Sequence, residues 1–124
     1  MAESKQYITQ KQENGSVLIS EDVINSIVTV AVTETEGVAG FSTKITADIS
    51  DILSKKSRGK GVRITISEDD RLYIECNILV IYGSAVVNVA KAVQDNVAAA
   101  VESMTGLPVT EVNVNICGIT TEQK

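Results

Sequence analysis

Hydrophobic positions change their period twice between Leu72 and Gly118, and the changes mark a strand, a long helix and a second strand. Leu72, Ile74, Cys76, Ile78, Val80 and Tyr82 recur every second residue, which places them on one face of an extended segment. Gly83 interrupts that run, and Ser84 offers a hydroxyl to the free N–H groups of a helix start. Val86, Val89, Ala90, Val93, Val97, Ala100, Val101 and Met104 then fall on one helical stripe, with Asn88, Lys91, Asp95 and Glu102 opposite. The spacing predicts a helix over 84–105. Gly106 supplies the left-handed residue that ends helices, and Pro108 forbids continuation. Beyond it Val112, Val114 and Ile116 alternate with Glu111, Asn113, Asn115 and Cys117, a second half-buried strand.

Upstream the signals are weaker. Residues 1–14 are polar without periodicity and read as a disordered arm. Gly15–Ile19 reads as a short strand. Ser20, followed by Glu21 and Asp22, reads as the cap and acidic first turn of a helix whose inner face is Ile24, Ile27, Val28, Ala31 and Thr35. The β-branched run Thr29–Thr33 competes as a strand; the cap, the acids, the length and the terminal Gly37 favour helix. Val38–Phe41 reads as a tight connection. Lys44–Lys56 reads as a second helix with Ile45, Ile49, Ile52 and Leu53 on one side, and Ser54–Lys60 as a polar loop. Val62, Ile64 and Ile66 form a strand joined through Glu68-Asp69-Asp70 to the strand from Arg71, a hairpin. Residues 120–124 read as a frayed tail.

The expected fold is an α+β two-layer sandwich of the α/β kind: one mixed sheet, helices mainly on one face, in the order β-α-(α)-β-β-α-β. One domain spans 15–119. If the strands at 71–82 and 109–117 are neighbours, the helix between them makes them parallel through a right-handed crossover.

Composition narrows the function. After residue 60 four basic residues face eight acidic ones, within a net charge of −5, which disfavours nucleic acid as the main partner. The absence of histidine excludes Ser-His-Asp and Cys-His catalysis and most zinc sites. Cys76 and Cys117, assigned to opposite sheet faces, argue against a disulfide and for a reducing compartment. Met1–Gln12 is polar and lacks the apolar stretch of a leader peptide, so none is expected, and no run approaches about 20 apolar residues. The expectation is a cytoplasmic protein without direct membrane insertion.

Each candidate site has a plainer competitor. Glu68-Asp69-Asp70 lacks the spacing of a calcium loop and reads as a solvated turn. Lys55, Lys56, Arg58 and Lys60 form a basic cluster that can contact an anion or a partner, or simply solvate a loop. Gly59 and Gly61 lack the spacing of a phosphate loop. Cys76 faces inward as a small core residue, while Cys117 is the more accessible thiol without an activating neighbour. An enzyme using Cys117 or the acidic turn stays open as an alternative. Alternation assigns Tyr73, Glu75, Asn77, Leu79, Ile81, Asn113 and Asn115 to the sheet face away from the long helix. One tyrosine and a carboxylate suit RNA poorly. Leu79 and Ile81 suggest that this face is covered, by the 45–56 helix or by a second chain in a homo-oligomer.

The order of motifs resembles the alkaline shock protein, or envelope stress response, family of Gram-positive bacteria. The carrying residues are Gly15–Ser20 with Val23-Ile24, Glu36–Gly40 and Gly61–Ile64. The strongest are Ile78–Gly83, Val89-Ala90, Val93-Gln94, Asn96-Val97, Met104–Leu107 and Val112–Ile116 with Gly118. They cover residues 15–119. Many members carry a valine or isoleucine pair and an aspartate where this chain has Glu75-Cys76. The resemblance implies a non-enzymatic cytoplasmic interaction or scaffold protein in envelope stress or lipid homeostasis, without cofactor or metal. It implies self-association and a protein partner: a membrane anchor protein, which would hold the chain at the membrane, or a metabolic enzyme such as an acyl-CoA carboxylase.

Overall fold

In chain order the computed structural model, which describes residues 7–42 and 61–121, contains β1 (Tyr7–Gln12), β2 (Gly15–Ser20), α1 (Glu21–Thr33) and β3 (Val38–Phe41). These are followed by β4 (Val62–Ile66), β5 (Leu72–Ile81), α2 (Val86–Thr105) and β6 (Val109–Thr120). β5 is the centre of a four-stranded mixed sheet. β6 runs parallel along one side of it, with Ile74 opposite Val112 and Cys76 opposite Val114, as a helical crossover requires. β3 and β4 share its other side end to end, both antiparallel: Phe41 faces Ile78, and Val62 faces Cys76. The junction is at Asn77, whose C=O accepts from Ser42 N–H at 2.9 Å and whose N–H donates to Gly61 C=O at 2.7 Å. Both described helices pack on one face of this sheet, giving the α+β two-layer sandwich that the pattern predicts, but β1 and β2 pair in a separate two-stranded sheet instead of joining the one sheet expected.

The core lies between the layers. Leu72, Ile74, Cys76, Ile78 and Val80 line the covered face of β5. Above them sit Ile24, Ile27, Val28, Ala31 and Val32 of α1 and Val89, Val93, Val97 and Val101 of α2. Each valine, leucine or isoleucine among them contributes roughly 1.5–3 kcal/mol on burial. The helix reading of the β-branched stretch holds. Ser20 Oγ accepts from Val23 N–H at 3.3 Å, and the hydroxyls of Thr29 and Thr33 fold back onto the Asn25 and Thr29 carbonyls. At the far end Thr35 is buried, donates to Ala31 O at 2.8 Å and accepts from Asn96 Nδ2 at 2.9 Å, tying α1 to α2.

Several expectations change. Residues 7–12 are a strand, not part of an unstructured arm. Glu13-Asn14 closes a hairpin in which Gln12 faces Gly15 and Ile8 faces Ile19; Ile8 is buried, and Gln10 Nε2 donates to Thr105 O at 2.7 Å. Val38–Phe41 is strand β3, not a connection, because β5 outruns β4 and leaves room on that edge. Helix α2 is capped at Ala85 without a side-chain bond, so Ser84 is not its cap. Tyr82 lies beyond the strand and is exposed, and Met104 leaves the stripe to stand 71% exposed. The exit from α2 follows the sequence: Gly106 is left-handed (φ 77°) and its N–H donates to Glu102 O. β6 extends through Thr120, whose carbonyl accepts from Tyr82 N–H at 2.7 Å, so the tail does not begin at 120. The helix expected over Lys44–Lys56 and the loop after it lie outside the described residues.

Candidate functional site

The face of the sheet turned away from the helices carries the odd-numbered residues of β5, and all of them are half-buried: Tyr73, Glu75, Asn77, Leu79 and Ile81. Register adds Thr65 beside Tyr73 and Arg63 beside Glu75 from β4, and Glu111, Asn113 and Asn115 from β6. The sequence-assigned face residues therefore do come together on one surface. No described element lies over it.

The face has two halves. At the polar half Asn115 Nδ2 donates to Glu75 Oε2 at 2.9 Å and to Asn77 Oδ1 at 2.7 Å. That bridge links β5 to β6 side chain to side chain and holds the Glu75 carboxylate in place. The apolar half is Leu79 and Ile81. Leu79 has a glycine as its neighbour on both adjoining strands, Gly40 on β3 and Gly118 on β6. A Cβ on Gly118 would approach Leu79 Cδ2 to 3.1 Å. Leu79 thus leans over Gly118 and fills the place of its missing side chain, while the space above Gly40 is open, so Leu79 stands beside one shallow hollow. Such a shape admits a complementary surface at close range.

Reactive chemistry is weaker. Cys76 is buried in the core, where burial, and secondarily the Glu75 charge, push its thiol up to about 12; it stays protonated and is no nucleophile. Cys117 is exposed in the bulge between the Ile78–Ile116 and Leu79–Gly118 pairs, with Sγ 3.8 Å from Asn115 O. In the acidic turn the Ser67 hydroxyl donates to Asp69, and Arg71 Nε meets Asp69 Oδ2 at 3.1 Å. The Ser67 bond, with the Asp69 backbone bond and Arg71 adding, lowers the Asp69 carboxyl below its ordinary value. Asp69 thus serves the hairpin turn. Among the described residues no three His, Cys, Asp or Glu side chains converge as metal ligands. The basic cluster Lys55, Lys56, Arg58 and Lys60 lies outside the described residues.

One surface was missed from the sequence. A groove of about 680 Å³ runs between α1 and α2, lined by Ser26, Ile27, Val30, Ala31, Glu34, Asn96, Ala99, Ala100 and Met104. The exposed Val30, on the solvent side of an otherwise amphipathic helix, was the available signal.

Comparison with known proteins places this architecture. The chain is 32% identical over 110 residues to the uncharacterized protein YqhY of Bacillus subtilis, covering 89% of this chain and 81% of that one. It is 32% identical over 109 residues to the uncharacterized protein Spy1535 of Streptococcus pyogenes, covering 88% and 82%. It is 30% identical over 114 residues to the uncharacterized protein YloU of Bacillus subtilis, covering 90% and 94%. Among solved structures the MamM CTD, in a doubly substituted form, superposes with a TM-score of 0.50 at 15% identity over 82% of this chain and 96% of that one, a likeness of fold alone. Residues 9–121 match the model of the alkaline shock (ASP23) family, described as having a cell envelope-related function, and the chain belongs to that family.

Proposed function

We propose that the chain is a non-enzymatic interaction protein of cell-envelope homeostasis that docks proteins on the open face of its sheet. The observation that carries this is the Leu79–Ile81 patch: two large apolar side chains half-buried on the central strand, with open space beside Leu79 at Gly40. Apolar surface of that kind gains by being covered. The absence of histidine and the protonated state of Cys76 support a binding role over catalysis.

The first occupant is a second copy of the chain. A two-fold pair sets the same patch against itself, the closed symmetry that most homo-oligomers adopt. The polar half, Tyr73, Glu75, Asn77, Asn113 and Asn115, then forms the rim, where hydrogen-bonding groups fit. A scaffold of this kind meets the membrane through a protein anchor. No helix among the described residues is long and apolar enough to cross one.

Leu79→Lys is the test. A lysine at the centre of the patch leaves a desolvated charge in the interface, so the variant should stay folded and show a smaller mass by light scattering. A wild type that is monomeric at high concentration defeats the proposal. So does a Leu79→Lys protein that unfolds rather than dissociates, because the patch would then be internal core.

A further inference from the structure

Among the described residues β6 pairs with β5 on one side only, and its other side is a sheet edge. The bonds on the far side of β5 determine which peptide groups face that edge. Asn77 N–H donates to Gly61 O and Ile81 N–H to Gly37 O, so the odd-numbered residues of β5 turn their peptide groups toward β3 and β4. Peptide directions alternate along a strand, so Ile74, Cys76 and Ile78 turn theirs toward β6. In a parallel ladder a residue pointing at its neighbour stands opposite one pointing away. The register Ile74–Val112, Cys76–Val114, Ile78–Ile116 therefore turns the N–H and C=O groups of Val112, Val114 and Ile116 outward.

Two side chains of α2 already reach for this edge. Gln94 Nε2 donates to Val112 O at 3.0 Å, and Glu102 Oε2 accepts from Val109 N–H at 3.1 Å. A glutamine amide and a carboxylate here occupy places that a neighbouring peptide would take. They also show that α2 lies above β6 and leans over its edge. The apolar side chains of Val112, Val114 and Ile116 remain only partly covered beneath it. Protection of the edge is partial: its bulge lies at the far end, at Cys117, between Val109 and Thr120 there is no lysine or proline, and the one charge is Glu111.

The geometry points to an extended peptide of another protein that adds to β6 as a strand, its alternate apolar side chains entering beneath α2. A second copy of β6 does not fit. Paired strands lie ~4.8 Å apart, so two α2 helices, each above its own β6, would run about as close, whereas packed helix axes need ~8–10 Å. The charge of the peptide follows from the surroundings: Glu102 and Glu111 flank the start of the edge and the chain carries −5, so a basic peptide fits. This surface is separate from the Leu79 face and does not rest on the reading of that face.

The probe is a fluorescein-labelled, end-capped peptide Lys-Val-Thr-Val-Thr-Val-Lys. Saturable binding by anisotropy is expected, with slowed amide exchange at Val114 and Ile116. Strand addition uses every second peptide group of the ligand, so N-methylation at residues of one parity should abolish binding and at the other parity spare it. Val114→Pro removes an outward N–H while leaving the Asn113 and Asn115 groups to β5, and should weaken binding about tenfold. If that variant does not fold, the two methylated peptides decide on the wild type. Leu79→Lys should bind the probe as the wild type does, which separates this site from the face. The inference is overturned if both methylated peptides bind alike, if Leu79→Lys loses the binding, or if no saturable binding occurs. A peptide-free protein of doubled mass with Val114 already protected also overturns it, in favour of self-pairing.

Discussion

At the scale of single residues, the Cys76 thiol couples the core to alkaline pH. It is raised from an ordinary 9.0 to about 12, first by burial and then by the neighbouring Glu75 charge. Between those values the folded chain holds a proton that the unfolded chain has lost, so the stability this group contributes is full below about pH 9 and falls as pH rises toward 12. Cys76→Ala should therefore lose less stability than the wild type between about pH 8 and pH 11 in urea denaturation, even if it starts lower through the lost sulfur contacts. Equal losses in the two proteins would show that the thiol is not the sensitive group. Cys117, exposed in the β6 bulge, should be the thiol that reacts with a labelling reagent in the folded protein.

At the scale of elements, α2 holds the two layers together. Its Val89, Val93, Val97 and Val101 repeat every fourth residue and are buried against the sheet, while Lys91 is on the solvent side. Val93→Asp places an unpaired carboxylate in the core at a cost of several kcal/mol, against a total stability of ~5–15 kcal/mol, and should abolish cooperative unfolding. Lys91→Glu should melt within a few degrees of the wild type. Similar melting of the two by circular dichroism would refute this facing of the helix. The same element was the most legible from sequence, because a period of two, then 3.6, then two again leaves one reading for β5, α2 and β6. β1 was not legible: its inward face is Ile8 followed by Gln10 and Gln12, and one apolar residue makes no pattern. β3 was hidden because four residues with a glycine look like a turn until β5 is known to need a partner there. The face residues could be named from alternation alone. The glycines flanking Leu79 and the outward peptide groups of β6 could not, since both depend on register between strands far apart in sequence.

At the scale of the whole molecule, charge decides how the chain meets a membrane. The net charge is −5, and the basic cluster Lys55, Lys56, Arg58 and Lys60 contributes +4 of the balance, leaving −9 on the remainder. Each basic residue near an anionic surface gains about 1 kcal/mol, but the acidic remainder is repelled by the same surface within a Debye length of ~10 Å. The described helices add only the scattered exposed Val23, Val30, Val87 and Met104, because their other large apolar side chains face the sheet and each other. Stable attachment takes two signals, and a short basic run is one. Purified protein spun with phosphatidylserine-rich vesicles at low salt should remain in the supernatant, and adding a membrane-embedded protein partner should bring it down. Co-sedimentation of the protein alone, lost on adding salt or on replacing the four basic residues, would make the cluster a lipid site and direct attachment the mechanism.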